Sequence, residues 1–301
     1  MASDRPFRRQ AIKLLTQLFL GRRRAHYHSW LPSLKIDGRA AGSPGSLFYR
    51  GHKIVDLVGM DALVRRAGSR ILIIGAGPSV KALSPQALPP REALLLNGAI
   101  SLIGEGLAQP LAIAIEDERF VWRHHEMIMR LVPRDVPMLL SPGPIRALCD
   151  IDAGFLRDRP IVLIDDIRKP YAHPRLDDTE LRDLEHVTLR DGAGFSSAPG
   201  RGVFQGGSVV VSALQFALAA GAAEIGFIGI DISNADAPRF YEKKGSAAFS
   251  GVAGAEKRIL DNIALARDQA NKHGIRLVNH SPVSALRSIG LDYVPLETSE
   301  R

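Results

Sequence analysis

The chain alternates short, uninterrupted apolar runs with longer segments of helical periodicity. The runs are Ile71–Ile74, Ala93–Leu96, Leu111–Ile115, Met138–Leu140, Ile161–Ile164, Glu224–Ile228 and Ile275–Val278. Runs this short, with Glu224 and Arg276 as their only charged members, suit strands buried on both faces, as in a parallel sheet. Between them, Phe120–Leu131, Ser208–Ala220 and Glu256–His273 carry helical spacing. Ser208–Ala220 is so apolar that it must be buried, and Gly274 suits the end of the last helix. Strands alternating with helices predict an α/β, Rossmann-like, mostly parallel sheet with helices on both faces.

Each apolar run ends in polar residues. They are Ser79, Asn97, Glu116 and Asp117, Ser141, Asp165 and Asp166, Asp231, and Asn279 and His280. In open parallel sheets ligands sit beyond the carboxyl ends of the strands. The first run leads into Gly75-Ala76-Gly77-Pro78-Ser79. Two glycines permit a tight turn and close ligand approach, and Pro78 and Ser79 suit a helix start that can hold an anion. The third glycine of the dinucleotide fingerprint is missing, and Asn97 stands where a dinucleotide site needs an acid, which argues against an oxidoreductase. Ordinary turn chemistry also places Asn, Asp and Ser at strand ends.

Outside this core, residues 5–24 form a basic amphipathic helix. Phe7, Ile12, Leu15, Leu18 and Phe19 make its stripe, with Arg8, Arg9, Lys13 and Arg22–Arg24 around it. That pattern fits an anionic membrane surface, or a helix packed on its own domain or on a partner. Residues 29–69 read as a connecting segment followed by a lead-in helix over 53–66, and residues 177–207 as a polar, Gly/Ser-rich lid-like loop. The domain proper is expected over 70–301, with 1–28 as an appended helix.

The 301 residues carry a formal net charge of +7, which favours anionic partners. Aromatic residues are only 6%, too few for base-stacking surfaces, so nucleic acid is not an expected partner. Cys149 is the only cysteine, which excludes an internal disulfide framework and points to a reducing, cytoplasmic setting. The acidic triplet Glu116–Glu118 could bind acceptor hydroxyls or a metal, but it reads first as a solvated turn, and no metal site is expected.

Four ordered blocks carry a resemblance: Ile73–Ser79; Leu96-Asn97-Gly98; Gly206-Gly207-Ser208 with the following helix and Glu224–Asp231; and Gly274–Pro282. Together they resemble the bacterial sialyltransferases of glycosyltransferase family 42, with the MptE-like domains nearby. The resemblance implies a GT-A-type fold and a glycosyltransferase that needs no metal. Its donor is a CMP-activated acidic sugar, sialic acid or Kdo-like. Its acceptor is a surface glycan or lipid-linked glycan, as in lipopolysaccharide assembly on the inner membrane face. By the same resemblance Gly75, Gly77, Pro78, Ser79 and Asn97 face the nucleotide. Gly206, Gly207 and Ser208 lie near the donor phosphate and carboxylate, Asp231 bonds the ribose, and Tyr241 contacts the phosphate. The first turn departs from the family's Gly-Asn-Gly-Pro-Ser at Ala76. No histidine lies between Ser233 and Lys272, where the family carries its base, and Glu256 stands near that place. Glu256, His280 and Asp117 are the candidate proton acceptors. Arg239, Lys243 and Lys244 could neutralise the leaving phosphate. The alternatives are an MptE-like, magnesium-ATP-dependent diphosphotransferase and a non-enzymatic nucleotide-binding module. Assembly of identical copies is left open.

Overall fold

The computed structural model describes residues 6–40, 43–231 and 253–296. An N-terminal helix α1 (Phe7–Arg24) leads to strands β1 (Leu34–Asp37), β2 (Ser46–Tyr49) and β3 (His52–Asp56). After α2 (Asp61–Val64) come β4 (Arg70–Ile74), β5 (Ala93–Leu96), α3 (Ser101–Gly104), β6 (Ala112–Ile115), α4 (Glu118–Leu131), β7 (Met138–Leu140), α5 (Pro142–Asp152) and β8 (Ile161–Leu163). The chain continues through α6 (Asp178–Arg182), β9 (Val187–Arg190), β10 (Ala193–Ser196), α7 (Val209–Ala219), β11 (Glu224–Ile228), α8 (Glu256–Lys272) and β12 (Arg276–Asn279).

Seven of these strands form one parallel sheet in the order β12-β11-β4-β5-β6-β7-β8. All seven expected apolar runs are in it. Alternate residues of each strand feed two separate cores. Ile71, Ile73, Leu94, Leu96, Ala112 and Ala114 face one core with residues of α7 and α8. Leu72, Ile74, Leu95, Ile113 and Ile115 face the other with residues of α4 and α5. The sheet is covered on both faces, which is why the strand interiors are apolar and the polar residues Arg70, Glu224, Arg276 and Asn279 stand at strand ends. Strand order reverses at β4, with β5 on one side and β11 on the other.

Three stretches differ from their sequence reading. The supposed connector contains an antiparallel meander, β1-β2-β3, whose Leu34, Ile36, Leu47, Tyr49 and Ile54 are buried in the α4–α5 core. The lead-in helix shrinks to Asp61–Val64, because Ile54 is the inward residue of a strand. The supposed lid over 177–207 is folded. It holds α6, with Asp177 and Glu180 as a capping box, and the β9–β10 hairpin, whose β10 residues are all buried. Gln215 of α7 fastens this segment. Its side-chain oxygen accepts from the backbone N–H of Ser196 and Phe204, both at 3.1 Å, and its amide donates to Phe204 O at 2.8 Å.

Helix α1 presents its apolar stripe to solvent. Phe7 is 83% exposed, Leu18 72% and Phe19 76%, whereas the buried positions are Arg9 and Thr16. Arg9 donates to Leu31 O at 2.7 Å and to His28 O, and stands 3.9 Å from the Glu118 carboxylate. Glu118 also pairs with buried Arg146, which bonds Asp150 at 2.7 Å. At the far end, Arg23 pairs with Glu180 at 3.0 Å, and its carbonyl accepts from Arg175 N at 2.8 Å. No helix among the described residues is long and apolar enough to cross a membrane.

Candidate functional site

Beyond the carboxyl ends of β5, β6 and β8 lies a cleft of about 800 Å³. Asn97 follows β5, Glu116 and Asp117 follow β6, and Asp166 follows β8. Gly206, Gly207, Ser208 and Val209, the turn into α7, also line it, with Arg258 and Asn262 of α8. Charges of both signs surround it, the basic ones being Arg119, Arg168, Lys169, Arg175 and Arg258.

Asn97 sits at φ 47°, a left-handed conformation that asparagine tolerates better than most residues. Its Oδ1 is buried with no hydrogen-bond partner. A buried acceptor left unpaired is unfavourable by about 1–3 kcal/mol unless a ligand donor meets it. The Gly206-Gly207 turn runs at φ 57° and 99°. A Cβ at Gly207 would lie 2.6 Å from the Arg258 guanidinium. Arg258 thus lies directly on the turn, with Nε donating to Gly206 O at 3.2 Å. A cation over the start of a buried helix favours an anion there.

Glu116 is not the solvated residue its acidic neighbours suggested. Burial, helped by the charges of Asp166 and Asp117, pushes its carboxyl up to about 8, against the opposing Ser212 hydroxyl and Lys169. Its Oε1 is buried without a standard hydrogen bond. Glu118 is buried in the ion pair with Arg146, and only Asp117 behaves as a turn acid. Asp117 caps α4 through Arg119 N at 2.9 Å and pairs with the Arg119 guanidinium at 2.6 Å. Asp166 pairs with Lys169 at 3.4 Å. Among the described residues no group of three or more His, Cys, Asp or Glu side chains is arranged to hold a metal ion.

The structure therefore brings Asn97, Asp117, Gly206, Gly207 and Ser208 to one cleft and leaves Gly75, Gly77, Pro78, Ser79, Asp231, Glu256 and His280 off its lining. The Gly75–Ser79 turn closes on Asp231. Ser79 donates from its backbone N–H at 2.8 Å and from Oγ at 2.7 Å to the two Asp231 oxygens. Gly75 N and Gly77 N donate to Ile228 O and Gly229 O. Pro78 opens the short helical turn that follows. His280 lies over Gly226, with Nδ1 bonded to Val294 O at 2.7 Å, and burial lowers its pKa. Asn279 and Ser281 brace the turn after β11, Ser281 Oγ accepting from Ile230 N at 3.1 Å. Glu256 is the first residue of α8, half-buried. Tyr241, Arg239, Lys243 and Lys244 lie outside the described residues.

No family model matches the chain, and no curated protein matches it. Among solved structures, the sialyltransferase CstII from Campylobacter jejuni in complex with the substrate analogue CMP-3FNeuAc overlaps 78% of this chain and 89% of its own, at 14% identity and a TM-score of 0.41. The monofunctional alpha-2,3-sialyltransferase Cst-I from Campylobacter jejuni overlaps 77% and 85%, at 15% identity and 0.40. Overlaps this loose do not fix a family or an activity.

Sequence reasoning passed over three lining residues. Asp166 was visible as a strand-end acid, but nothing distinguished it from turn chemistry. Lys169 and Arg258 gave no local signal, because only the fold carries α8 across to the Gly206 turn. As built, the cleft can hold an anion at Gly206–Arg258, accept a hydrogen bond at Asn97 and move a proton at Glu116.

Proposed function

We propose that this chain is a glycosyltransferase that moves an acidic sugar, sialic acid or Kdo-like, from a CMP-activated donor to a surface or lipid-linked glycan without a metal. One observation carries the reading: the unpaired Asn97 Oδ1 and the Arg258-covered turn into α7 share one cleft beyond the strand ends. In this reading Asn97 accepts from the cytosine amino group, and Gly206–Ser208 with Arg258 take the donor's phosphate or carboxylate. Gly75, Gly77, Pro78, Ser79 and Asp231 form the brace beside the nucleotide, and Tyr241 and its basic neighbours contact the phosphate. The four ordered sequence blocks support the same reading.

The test is a thermal melt with ligand. CMP without metal should raise Tm, and Asn97→Ala should abolish the rise. Stabilisation by ATP only with magnesium would favour the diphosphotransferase instead.

The second half of the proposal concerns location: α1 holds the protein peripherally on the cytoplasmic face of the inner membrane. The exposed Phe7, Leu14, Leu18 and Phe19 beside Arg8 and Lys13 suit insertion at an anionic surface. Replacing these four apolar residues with serine should release the protein from anionic vesicles while leaving the buried Arg9 anchor intact.

A further inference from the structure

The cleft has a second room. A cavity of about 200 Å³ is lined by His26, His28, Ser29, Trp30 and Gly143, at the foot of α1. It shares Glu116, Asp117, Asp166, Lys169 and Gln205 with the main cleft, so the two adjoin along one wall. Glu116 stands in the shared wall, and its buried Oε1 has no hydrogen-bond partner. Trp30 and the histidine rings give the second room a partly aromatic lining on the side nearest the membrane helix. Sugars present flat C–H faces to such rings and hydroxyls to such carboxylates.

The geometry points to Glu116 as the proton-accepting residue of the transfer, with the acceptor glycan entering through the room at the foot of α1. This rests on the glycosyltransferase reading. The acceptor hydroxyl gives its proton to the Glu116 carboxylate, and its oxygen bonds to the anomeric carbon of the donor sugar. The bond from that carbon to the CMP phosphate breaks, and CMP leaves with the electron pair. The charged groups around Glu116 are Asp117 beside it, Asp166 and Lys169 after β8, and Glu118 and Asp165 in the wall of the second room, which His26 and His28 also line. Burial lowers both histidines, so they stay neutral around pH 7 and leave Glu116 to titrate against Asp117, Asp166 and Lys169.

The experiment measures CMP release from CMP-activated sialic acid and Kdo, with water alone and with a lactosyl lipid as acceptor. Glu116→Gln should lose at least a hundredfold of release in both settings while its Kd for CMP stays within threefold. In the unaltered chain release should rise with pH to an inflection near 8, and Glu116→Gln should show no such rise. Gly143→Leu should keep release to water and lose the lipid-stimulated part. Its added Cβ meets Glu118 at an ordinary 3.5 Å, and Ser29→Leu blocks the same room from the other wall should the first variant melt early. A Glu116→Gln enzyme within threefold of the unaltered one, or blocked variants that still glycosylate the lipid fully, overturn the inference and leave the nucleotide-site reading standing. Failure of the unaltered chain to bind CMP overturns that reading and this inference with it.

Discussion

Two glycine-rich turns follow the same sequence logic and end in opposite states. At Gly75–Ser79 the glycines let backbone pack on backbone. A Cβ at Gly77 would lie 2.4 Å from the Asp231 carboxylate and 2.7 Å from Gly229 O. Asp231 already takes the anion position, bonded to Ser79 by both oxygens. At Gly206–Ser208 the glycines instead provide positive φ, and the turn opens onto a cleft beneath a cationic side chain. A glycine pair after or before a core element thus marks close approach, but only the fold tells whether the thing approached is the protein itself or a ligand.

The sharpest way to break this contrast is Gly77→Val. It should lower Tm by roughly 6–10 °C, from an overpacking penalty of about 3 kcal/mol, whether or not ligand is present. Gly207→Ala should lose more than tenfold in CMP affinity, because its Cβ displaces Arg258, while strain at positive φ removes only about 1 kcal/mol of stability. Asp231→Ala, read by the same melts, should fall between them in stability, at about 2 kcal/mol, since it leaves the Ser79 N–H and hydroxyl without their partner in a half-buried turn. Arg258→Met is the mildest of the four. It should weaken inorganic phosphate or CMP binding about tenfold and flatten its salt dependence, with Tm unchanged.

Glu116 adds a pH arm. Folded, its carboxyl keeps a proton up to about pH 8, and unfolded it releases it near 4.5. Between those values the unfolded chain binds fewer protons, so stability falls as pH rises and levels off above 8. Glu116→Gln should remove that decline, raising Tm by roughly 9 °C or more at pH 8 and not at all at pH 4.

The seven-stranded sheet was legible because a strand buried on both faces keeps its interior apolar and its polar residues to the ends, so each run announces itself. The meander was not, because its strands are four or five residues long and the alternation of Leu34 and Ile36, or Leu47 and Tyr49, is too brief to stand out among glycines and prolines. The order of 177–207 depends on Gln215, which lies beyond the segment and reads as one polar residue in an apolar helix. Asn97 and Gly206–Ser208 were found from strand-end and turn chemistry. Glu116 was misjudged because an acidic triplet resembles any solvated turn, and only the fold sets Ser212 of α7 and the Asp166–Lys169 loop after β8 beside it.

The Arg9 anchor has a consequence for the protein's life before it meets a surface. A guanidinium sunk into the Leu31 and His28 carbonyls cannot let the helix roll over and hide its greasy side. Purified without detergent or lipid, the chain should therefore clump through α1, and light scattering should show the clumps disperse when anionic vesicles are added.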